Sequence, residues 1–365
     1  MVKSFIAFGN FISMPTSINF GLIGAGQIAH PSAKSISDHP RGTVLAAQDL
    51  NADRLAELCS AHGIPRSYAT ADDLFADDDI DAVYIAVPNK FHAPLARQAL
   101  EAGKHVILEK PFAFSWAEGR EVIDVAEKMG KTFTLGMNMR FREDSQKIRS
   151  LVMDGTLGEV YHAKAFWFRR AGIPKLGTWF GKRDLSGGGS LYDIGVHLLD
   201  LCLFCKGSFD PVSVSGTTYT RFGNRGLGEG SWGHSDREHP EFDVDDFATA
   251  LLRFADGSTV SLDVSWACHA EEANRNDVHL YGTEAGARCF PAKLFRNHPD
   301  GGDYEVIESP EAPLICAPDR FHNFINHLVD GEDLLVTSAE ALSVQRILDA
   351  IAESSASGSE IRFDG

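Results

Sequence analysis

A glycine-rich turn between a predicted strand and a predicted helix most constrains how this chain can fold. The apolar run at residues 18–23 leads directly into GAGQIA at residues 24–29, the pattern G-x-G-x-x-A. Gly24 permits a tight turn, Gly26 lets the backbone approach a pyrophosphate, and Ala29 keeps the helix close to the sheet. The helix N-terminus presents main-chain N–H groups to phosphates, so we expect a dinucleotide to bind here. The expected cofactor-binding residues of this turn are Gly24, Gly26, Gln27 and Ile28.

The residues that follow the turn repeat a strand–helix pattern. Strands are predicted at residues 18–23, 44–49, 82–87, 105–109 and 132–137, with amphipathic segments between them. Such alternation with short loops implies a doubly wound parallel sheet. The second strand ends in Asp49, whose carboxylate can accept hydrogen bonds from the adenosine ribose and would repel a 2′-phosphate. The sequence therefore adds Asp49 to the cofactor-binding residues and favours NAD over NADP.

The character of the chain changes after about residue 150. Longer strands are predicted at residues 160–168, 212–220, 247–254, 259–266 and 278–281, with helices at 190–204, 320–329 and 338–353. We therefore expect an α/β chain, in which a Rossmann sheet precedes an α+β domain with a mostly antiparallel open sheet. The predicted units are a leader at residues 1–17, a dinucleotide-binding domain at 18–140, and a substrate-binding and oligomerisation domain at 141–365. The two closing helices are candidates to pack back on the Rossmann domain.

Composition restricts the class of partner. The 365 residues exceed the roughly 250–300 that one hydrophobic core supports, so two domains are expected. A formal charge of -17 disfavours nucleic acid and anionic membranes, because both attract basic patches. No apolar stretch is expected to reach the length of a membrane span, and residues 1–17 lack the features of a signal peptide. Cys202 and Cys205 are expected to be buried thiols, and reduced cysteines are typical of the cytoplasm.

Polar residues lie where two neighbouring strands of the predicted sheet end. The motif E-K-P at residues 109–111 closes one strand, and Pro88 and Asn89 close the preceding one, with His92 just beyond. Ligands of doubly wound sheets bind outside the carboxyl ends of the strands, so a lysine there can touch both cofactor and substrate. The further cofactor-binding residues expected at this edge are Pro88, Asn89, His92, Glu109 and Lys110.

A second polar group is predicted at the start of the helix at residues 190–204. It lies in the segment GGGSLYDIGVHLLD at residues 187–200, just after three glycines. Asp193, His197 and Asp200 are spaced i, i+4 and i+7, so they share one helical face. A histidine flanked by carboxylates on a mainly apolar helix suits a general base, with Asp193 orienting the imidazole. No metal site is predicted, because three residues on one helix face rarely converge on one ion.

Four segments of the chain resemble the Gfo/Idh/MocA family, named after glucose-fructose oxidoreductase, inositol dehydrogenase and a rhizopine catabolism protein. They are GLIGAGQIA, VPNKFHAPLARQALEAGKHVILEKP, GGGSLYDIGVHLLDL and SAEALSVQRILDAIAESSASG, and they extend from about residue 18 to residue 357. The E-K-P and D-x-G-x-H motifs together are specific to that family. The resemblance implies a Rossmann domain followed by a mixed sheet whose open face often forms a dimer or tetramer. It also implies a turn at Lys110 with a cis bond before Pro111.

The resemblance further implies the chemistry of three residues, since Lys110, Asp193 and His197 match the family's catalytic lysine, aspartate and histidine. His197 would abstract a hydroxyl proton, Lys110 would stabilise the alkoxide, and the carbon-bound hydride would pass to the nicotinamide. Asp193 would hydrogen-bond a neighbouring hydroxyl or set the tautomer of His197. Several members act on sugars and cyclitols. The expected activity is therefore NAD(P)-dependent oxidation of a secondary hydroxyl of a sugar, glycoside or cyclitol.

Substrate contacts are expected from side chains near the cleft. The candidates are Arg140, Arg169, Arg170 and Trp179. Two alternatives stay open: an NAD-dependent glycosidase that oxidises its sugar transiently, and a dinucleotide-binding regulator without turnover. A regulator is expected to have lost the lysine or the histidine, whereas this chain keeps Lys110, Asp193 and His197 together. The expected partner is a small sugar or cyclitol, and the expected assembly is a cytoplasmic homodimer or homotetramer.

Overall fold

The computed structural model describes residues 15–231, 235, 238, 241–298 and 301–363, so most of the predicted leader, residues 1–14, lies outside the described residues. The strands are β1 (Ile18–Ile23), β2 (Gly42–Gln48), β3 (Arg66–Tyr68), β4 (Ala82–Ile85), β5 (His105–Leu108), β6 (Phe133–Leu135), β7 (Val160–Arg169), β8 (Pro211–Tyr219), β9 (Phe247–Phe254), β10 (Thr259–Ser265), β11 (Asn274–Gly282), β12 (Ala285–Arg288), β13 (Lys293–Asn297), β14 (Tyr304–Glu308) and β15 (Ile361–Arg362). The helices are α1 (Ala29–Asp38), α2 (Ala52–His62), α3 (Ala71–Phe75), α4 (His92–Glu101), α5 (Trp116–Met129), α6 (Glu143–Met153), α7 (Arg183–Ser186), α8 (Val196–Lys206), α9 (Arg320–Asp330) and α10 (Ser338–Ser357). A π-helical turn, Leu191–Gly195, leads directly into α8.

In the part of the chain that the structure describes, the first sheet has six parallel strands in the order β3-β2-β1-β4-β5-β6. This order confirms the predicted doubly wound sheet. β4 is buried along its whole length and β1 and β5 nearly so, as expected for strands that are covered on both faces. β3 is absent from the prediction, because its three residues carry no apolar run and none of them is fully buried.

Among the described residues, the second sheet has nine strands in the order β14-β13-β12-β11-β7-β10-β9-β8-β15. β7 and β10 run parallel, and the other neighbouring strands are antiparallel. The predicted mixed, mostly antiparallel sheet is therefore confirmed. The strands β12 to β15 are absent from the prediction, because segments of two to five residues are too short to show a reliable alternation.

The buried helix α8 covers the inner face of the second sheet, where it packs against β7 and β11. The expectation about membrane spans is wrong in one respect, since the segment Arg183–Lys206 is 24 residues long and contains an 18-residue window of mean hydropathy 1.2. Of that window, 89% is buried inside the protein, which is typical of a core helix. Cys202 and Cys205 lie within α8 as the buried thiols expected, and burial raises the pKa of Cys202.

The two closing helices reach back to the first sheet. α9 belongs to its core, where the ring of Phe324 lies 6.2 Å from that of Phe20 and the ring of Phe321 lies 5.1 Å from that of Tyr84. α10 packs against β8 of the second sheet and also against α5 and β6 of the first. The end of the chain therefore ties the two sheets together, and the carboxyl edge of the first sheet faces residues of the second.

A buried ion pair strengthens this junction. Arg140, which follows β6, is completely buried and donates to both carboxylate oxygens of Asp200 on α8, at 2.9 and 2.5 Å. Its remaining nitrogen donates to Glu340 on α10 at 2.6 Å and to the carbonyl of Leu335 at 2.8 Å. The prediction that Arg140 contacts substrate is wrong, because its guanidinium is fully occupied and inaccessible. Asp200 is also predicted to flank His197, but its carboxylate forms an ion pair with Arg140.

Removing one member of this pair should destabilise the protein strongly. Arg140→Ala leaves Asp200 charged and unpaired in the interior, so we expect the free energy of unfolding to fall by about 3–5 kcal/mol. The double variant Arg140→Met/Asp200→Leu replaces both charges by apolar groups of similar size and should recover most of that loss. Urea denaturation of the three proteins measures the effect. A loss below about 1 kcal/mol in Arg140→Ala would contradict the assigned role.

Candidate active site

The glycine turn has the geometry that a dinucleotide needs. Gly24 has a φ of +98°, and a Cβ there would lie 2.3 Å from the carbonyl oxygen of Ala86, so the fold itself requires glycine. A Cβ on Gly26 would meet no protein atom within 4 Å. The space in front of Gly26 is therefore open, as the approach of a pyrophosphate to the backbone requires. Gln27 and Ile28 are exposed beside it, at the start of α1.

Asp49 lies against this turn. Its Oδ2 accepts a hydrogen bond from the main-chain N–H of Ala25 at 2.7 Å, and its Oδ1 accepts from the N–H of Asn51 at 2.7 Å. Arg54 pairs with Oδ1 at 3.4 Å from an exposed position. The carboxylate is thus oriented by the backbone at the point where the ribose of a bound dinucleotide is expected. These residues fit the dinucleotide predicted from the sequence.

The E-K-P segment begins where β5 ends, and the bond between Lys110 and Pro111 is cis, as expected. Glu109 is enclosed by Tyr84, whose hydroxyl donates to Oε1 at 2.6 Å, and by Arg320 of α9, whose Nη2 lies 2.6 Å from the same oxygen. Burial by itself would raise the pKa of Glu109. Arg320 and the Tyr84 hydroxyl outweigh that effect, so the pKa lies below its usual value and the carboxylate is charged.

Lys110 and Asp193 meet across the boundary between the two sheets. The Nζ of Lys110 donates to Oδ1 of Asp193 at 2.8 Å and to the carbonyl oxygen of Asp193 at 3.1 Å. The indole N–H of Trp266, just beyond β10, donates to the other carboxylate oxygen at 2.8 Å. Burial would raise the pKa of Asp193, but the positive charges of Lys110 and Arg169 and the indole hydrogen bond lower it below the usual value. The aspartate is therefore a fixed anion.

A π-helical turn presents Asp193, and such turns inside helices are frequent at functional sites. Asp245 holds the start of this turn, because its carboxylate accepts from the main-chain N–H groups of Gly189 and Leu191 at 2.8 and 2.9 Å and from the Ser190 hydroxyl at 2.7 Å. A Cβ on Gly189 would lie 1.8 Å from the carbonyl oxygen of Asp245. The glycine run therefore permits the close approach that positions Asp193.

His197 lies one turn further, at the start of α8. Its Nδ1 is buried without a hydrogen-bond partner among the described residues. Burial, and then the positive charge of Lys110, lower the pKa of His197 to about 3, so the imidazole is neutral at physiological pH. A neutral imidazole beside a lysine and an aspartate can accept a proton from a hydroxyl placed among the three. The structure thus brings the three predicted catalytic residues into one cluster.

The cofactor contacts predicted after β4 lie in a loop that the protein itself holds in place. His92 is 1% exposed, and its Nδ1 and Nε2 lie 2.7 and 2.9 Å from the carbonyl oxygens of Pro111 and Val87. It joins the ends of β4 and β5, so its prediction as a cofactor contact is wrong. The Nδ2 of Asn89 donates to the carbonyl of Ser186 at 2.8 Å, which ties the loop after β4 to α7. Its neighbour Pro88 lies in the same loop.

The substrate candidates divide in the same way. Arg169, at the end of β7, is partly buried and acts electrostatically on Asp193. Arg170 is exposed and donates from Nε to the carbonyl of Ala270 at 3.0 Å and from Nη2 to that of Glu271, so its guanidinium braces the neighbouring loop. The ring of Trp179 stacks on that of Phe180 at 3.8 Å. Of these candidates, the structure brings Arg169 into the cluster of Lys110 and Asp193.

Sequence reasoning misses Tyr84, Trp266, Asp245 and Arg320. Tyr84 and Trp266 belong to apolar strand patterns that predict core positions, and Arg320 begins a helix far along the chain. Asp245 stands in an irregular loop, where no spacing rule links it to the glycines. Among the described residues, no group of three or more His, Cys, Asp or Glu side chains could hold a metal ion.

Comparisons with known proteins decide the family. Residues 18–137 match the family described as "Oxidoreductase family, NAD-binding Rossmann fold", and residues 145–288 match the "GFO/IDH/MocA C-terminal domain". The D-glucoside 3-dehydrogenase of Escherichia coli is 30% identical over 355 residues, which are 95% of this chain and 97% of that protein. The chain belongs to the Gfo/Idh/MocA oxidoreductase family. This relation confirms the expected family, an oxidoreductase, and NAD as the cofactor.

Other similar proteins match this chain over nearly its whole length. The levoglucosan dehydrogenase of Pseudarthrobacter phenanthrenivorans is 26% identical over 93% of this chain and 96% of its own. A solved structure of levoglucosan dehydrogenase with NADH and levoglucosan has a TM-score of 0.81 at 23% identity, covering 96% and 100% of the two chains. An NAD-binding protein from Listeria innocua has a TM-score of 0.78 at 26% identity, covering 95% and 97%. These likenesses confirm the two-sheet fold.

Two alanine substitutions should separate folding from cofactor binding at the glycine turn. Gly24→Ala forces a Cβ against the carbonyl of Ala86 at positive φ, so we expect it to lower the free energy of unfolding by more than about 1 kcal/mol. Gly26→Ala meets no protein atom and should leave stability within about 1 kcal/mol, while it weakens NADH binding at least about tenfold. Urea denaturation and NADH fluorescence titration measure the two effects. Unchanged NADH affinity in Gly26→Ala would contradict a pyrophosphate at this turn.

The neutral state of His197 should be visible in the pH dependence of stability. Its pKa falls from 6.5 to about 3 on folding. As the pH falls below 6.5, the unfolded chain gains a proton at this residue and the folded chain does not. His197 therefore lowers the free energy of unfolding by up to about 1.4 kcal/mol per pH unit toward pH 3. His197→Asn should remove this contribution between pH 7 and pH 5 in urea denaturation, whereas His269→Asn, at an exposed position, serves as the control. A wild-type slope in His197→Asn would contradict the assignment.

Proposed function

We propose that this protein oxidises a secondary hydroxyl of a sugar, glycoside or cyclitol with NAD, and that Lys110, Asp193 and His197 act on that hydroxyl. The observation that carries the proposal is the 2.8 Å contact between the Lys110 ammonium and the Asp193 carboxylate beside a neutral imidazole, at the carboxyl edge of an NAD-binding sheet. The similarity to D-glucoside 3-dehydrogenase and levoglucosan dehydrogenase supports a carbohydrate as the substrate.

The three side chains have different tasks in this mechanism. When bound, NAD supplies the acceptor for the hydride that leaves the substrate carbon. His197 accepts the hydroxyl proton on a ring nitrogen, which its neutral state allows. Lys110, held by Asp193, donates a hydrogen bond to the oxygen that loses this proton and thereby stabilises the negative charge. Asp193 holds the ammonium in place while Trp266 holds Asp193, so the donor is oriented before the substrate arrives.

Arg169 is proposed as a substrate contact. Its guanidinium lies over the ring of Trp167, 4.4 Å from the ring centroid, and the Trp167 N–H is fixed by Asn274 at 2.8 Å. A Cβ on Gly172 would lie 2.4 Å from the Arg169 side chain, so glycine makes room for the arginine. An arginine positioned in this way near Asp193 can donate to oxygens next to the reacting hydroxyl. Vicinal hydroxyls, as in sugars and cyclitols, offer such a pair.

A homodimer or homotetramer is also proposed, with the face of the second sheet opposite α8 as its interface. Aromatic rings cross several strands on this face, with centroids 5.9 Å apart between Phe168 and Phe247 and 5.9 Å between Tyr219 and Phe247. A groove of about 470 Å³ runs beside Tyr219 and Phe247. Partly exposed aromatic groups over a broad sheet are typical of surfaces that another chain covers.

A panel of sugars, alkyl glycosides and inositols, incubated with NAD and followed at the NADH absorbance, tests the activity. With an oxidised substrate in hand, Lys110→Met and His197→Ala should each lower kcat/KM by about 100-fold or more, because each removes a group that acts on the reacting hydroxyl. Lys90→Met is the matched control, because Lys90 is an exposed lysine in the loop after β4 and should keep wild-type kcat/KM.

Three results would contradict the proposal. One is oxidation that proceeds equally well in Lys110→Met and His197→Ala. Another is the absence of NADH formation with every member of the panel while NADH still binds, which would favour the regulator. A third is release of the aglycone from glycosides without net NADH formation, which would identify the glycosidase.

A further inference from the structure

Arg320 reaches the reaction site from a distant part of the sequence. It is the first residue of α9, and its side chain is buried beneath the carboxyl edge of the first sheet. Nη1 donates to the carbonyl of Gly136, after β6, at 3.0 Å, and Nη2 donates to the Tyr84 hydroxyl of β4 at 3.1 Å. Nη2 also pairs with Glu109 at 2.6 Å. One guanidinium therefore contacts the ends of three parallel strands.

Glu109 transmits this contact to Lys110. One carboxylate oxygen of Glu109 is held by Arg320 and Tyr84, and the other accepts from the main-chain N–H of Lys110 at 3.3 Å. Lys110 in turn contacts Asp193 at 2.8 Å. The charges alternate along this path from Arg320 to Asp193, so each group is attracted to the next. The path ends at Lys110 and Asp193, two of the three residues proposed to act on the substrate.

The packing around Arg320 leaves little freedom for its side chain. A Cβ on Gly136 would lie 2.7 Å from Nη1 of Arg320 and 3.3 Å from Oε1 of Glu109. Glycine at this position therefore makes room for the ion pair. The charge of Arg320 also lowers the pKa of His197, whereas the charge of Glu109 raises it.

We propose that Arg320 is a positioning residue for the oxidation, which fixes Glu109 and through it the main chain that orients Lys110 toward Asp193 and His197. This inference rests on the proposed function for its kinetic readout. This role needs no contact between Arg320 and the substrate or the cofactor, because the side chain is buried beneath the sheet edge. Its loss is expected to change the rate of the chemical step more than the binding of either ligand.

The variant Arg320→Met tests the inference, because it keeps an unbranched chain as far as the ε position and removes the charge and the hydrogen-bond donors of the guanidinium. We expect kcat to fall about tenfold or more, while KM for the sugar changes less than about threefold. Arg320→Lys keeps the charge but offers a single nitrogen, and it should recover part of the lost kcat. Arg41→Met is the matched control, because Arg41 also pairs with α9, through Asp330, but at the surface; its kcat should equal the wild-type value.

The pH profile separates positioning from a structural role. Arg320 is the main group that lowers the pKa of Glu109 against burial, and Tyr84, Lys110 and His197 are the other groups that act on it. Without Arg320, burial should raise the pKa of Glu109 above its value in the wild type. We therefore expect kcat/KM of Arg320→Met to begin to fall at a higher pH than that of wild type as the pH is lowered. The double variant Arg320→Met/Glu109→Gln has neither the guanidinium nor the titratable carboxyl of this pair. It should therefore lose this pH dependence, and its kcat should stay low because Lys110 is still not positioned.

Two kinetic results would overturn the inference. One is a kcat of Arg320→Met within twofold of wild type with an unchanged pH profile. The other is recovery of wild-type kcat in Arg320→Met/Glu109→Gln, since that would assign Arg320 to charge balance alone.

A crystal structure of Arg320→Met needs no substrate, and loss of the 2.8 Å contact between Lys110 and Asp193 is expected in it. If wild type oxidises nothing, the proposed function fails, whereas an intact contact in that structure overturns the positioning role independently.

Discussion

The ion pair between Lys110 and Asp193 is the interaction on which the arrangement of the site depends. One partner stands at the end of a parallel strand and the other on a π-helical turn against a mostly antiparallel sheet. The ends of two separate sheets must therefore be held in a fixed relative position. The chain achieves this with groups outside the Lys110–Asp193 pair. Asp245 fixes the turn, Trp266 fixes the aspartate, and Arg320 fixes the strand end through Glu109.

Much of the first domain could be predicted from the sequence, because its signals are local. The glycine turn and the E-K-P segment each lie within a few residues of a strand end. Parallel strands place all such ends along one edge, so their convergence follows from topology alone. The longer strands of the second domain were equally predictable from their alternation. Its shortest strands were not, because pairing with neighbours, and not local pattern, determines them.

The errors in the site have a common physical origin. Arg140 and His92 carry polar groups at positions where a ligand is expected, yet both are buried and satisfied by the protein. Sequence position indicates that a side chain is near the edge of a sheet. It does not indicate whether the side chain points into the cleft or beneath it. Asp200 illustrates the same limit, since its helical spacing placed it beside His197, while a residue from another element determined its partner.

The late position of Arg320 in the sequence has a consequence for folding during synthesis. The six strands of the first sheet and their glycine turn leave the ribosome well before α9, which supplies both a hydrophobic cover for β1 and the countercharge of Glu109. Until α9 has emerged, the nascent sheet lacks the part of its apolar cover that Phe321, Phe324 and Ile325 supply, and Glu109 lacks its cation. Part of the cover of the cofactor-binding half is therefore added late, by the two helices α9 and α10, which lie beyond the entire second sheet apart from its final strand.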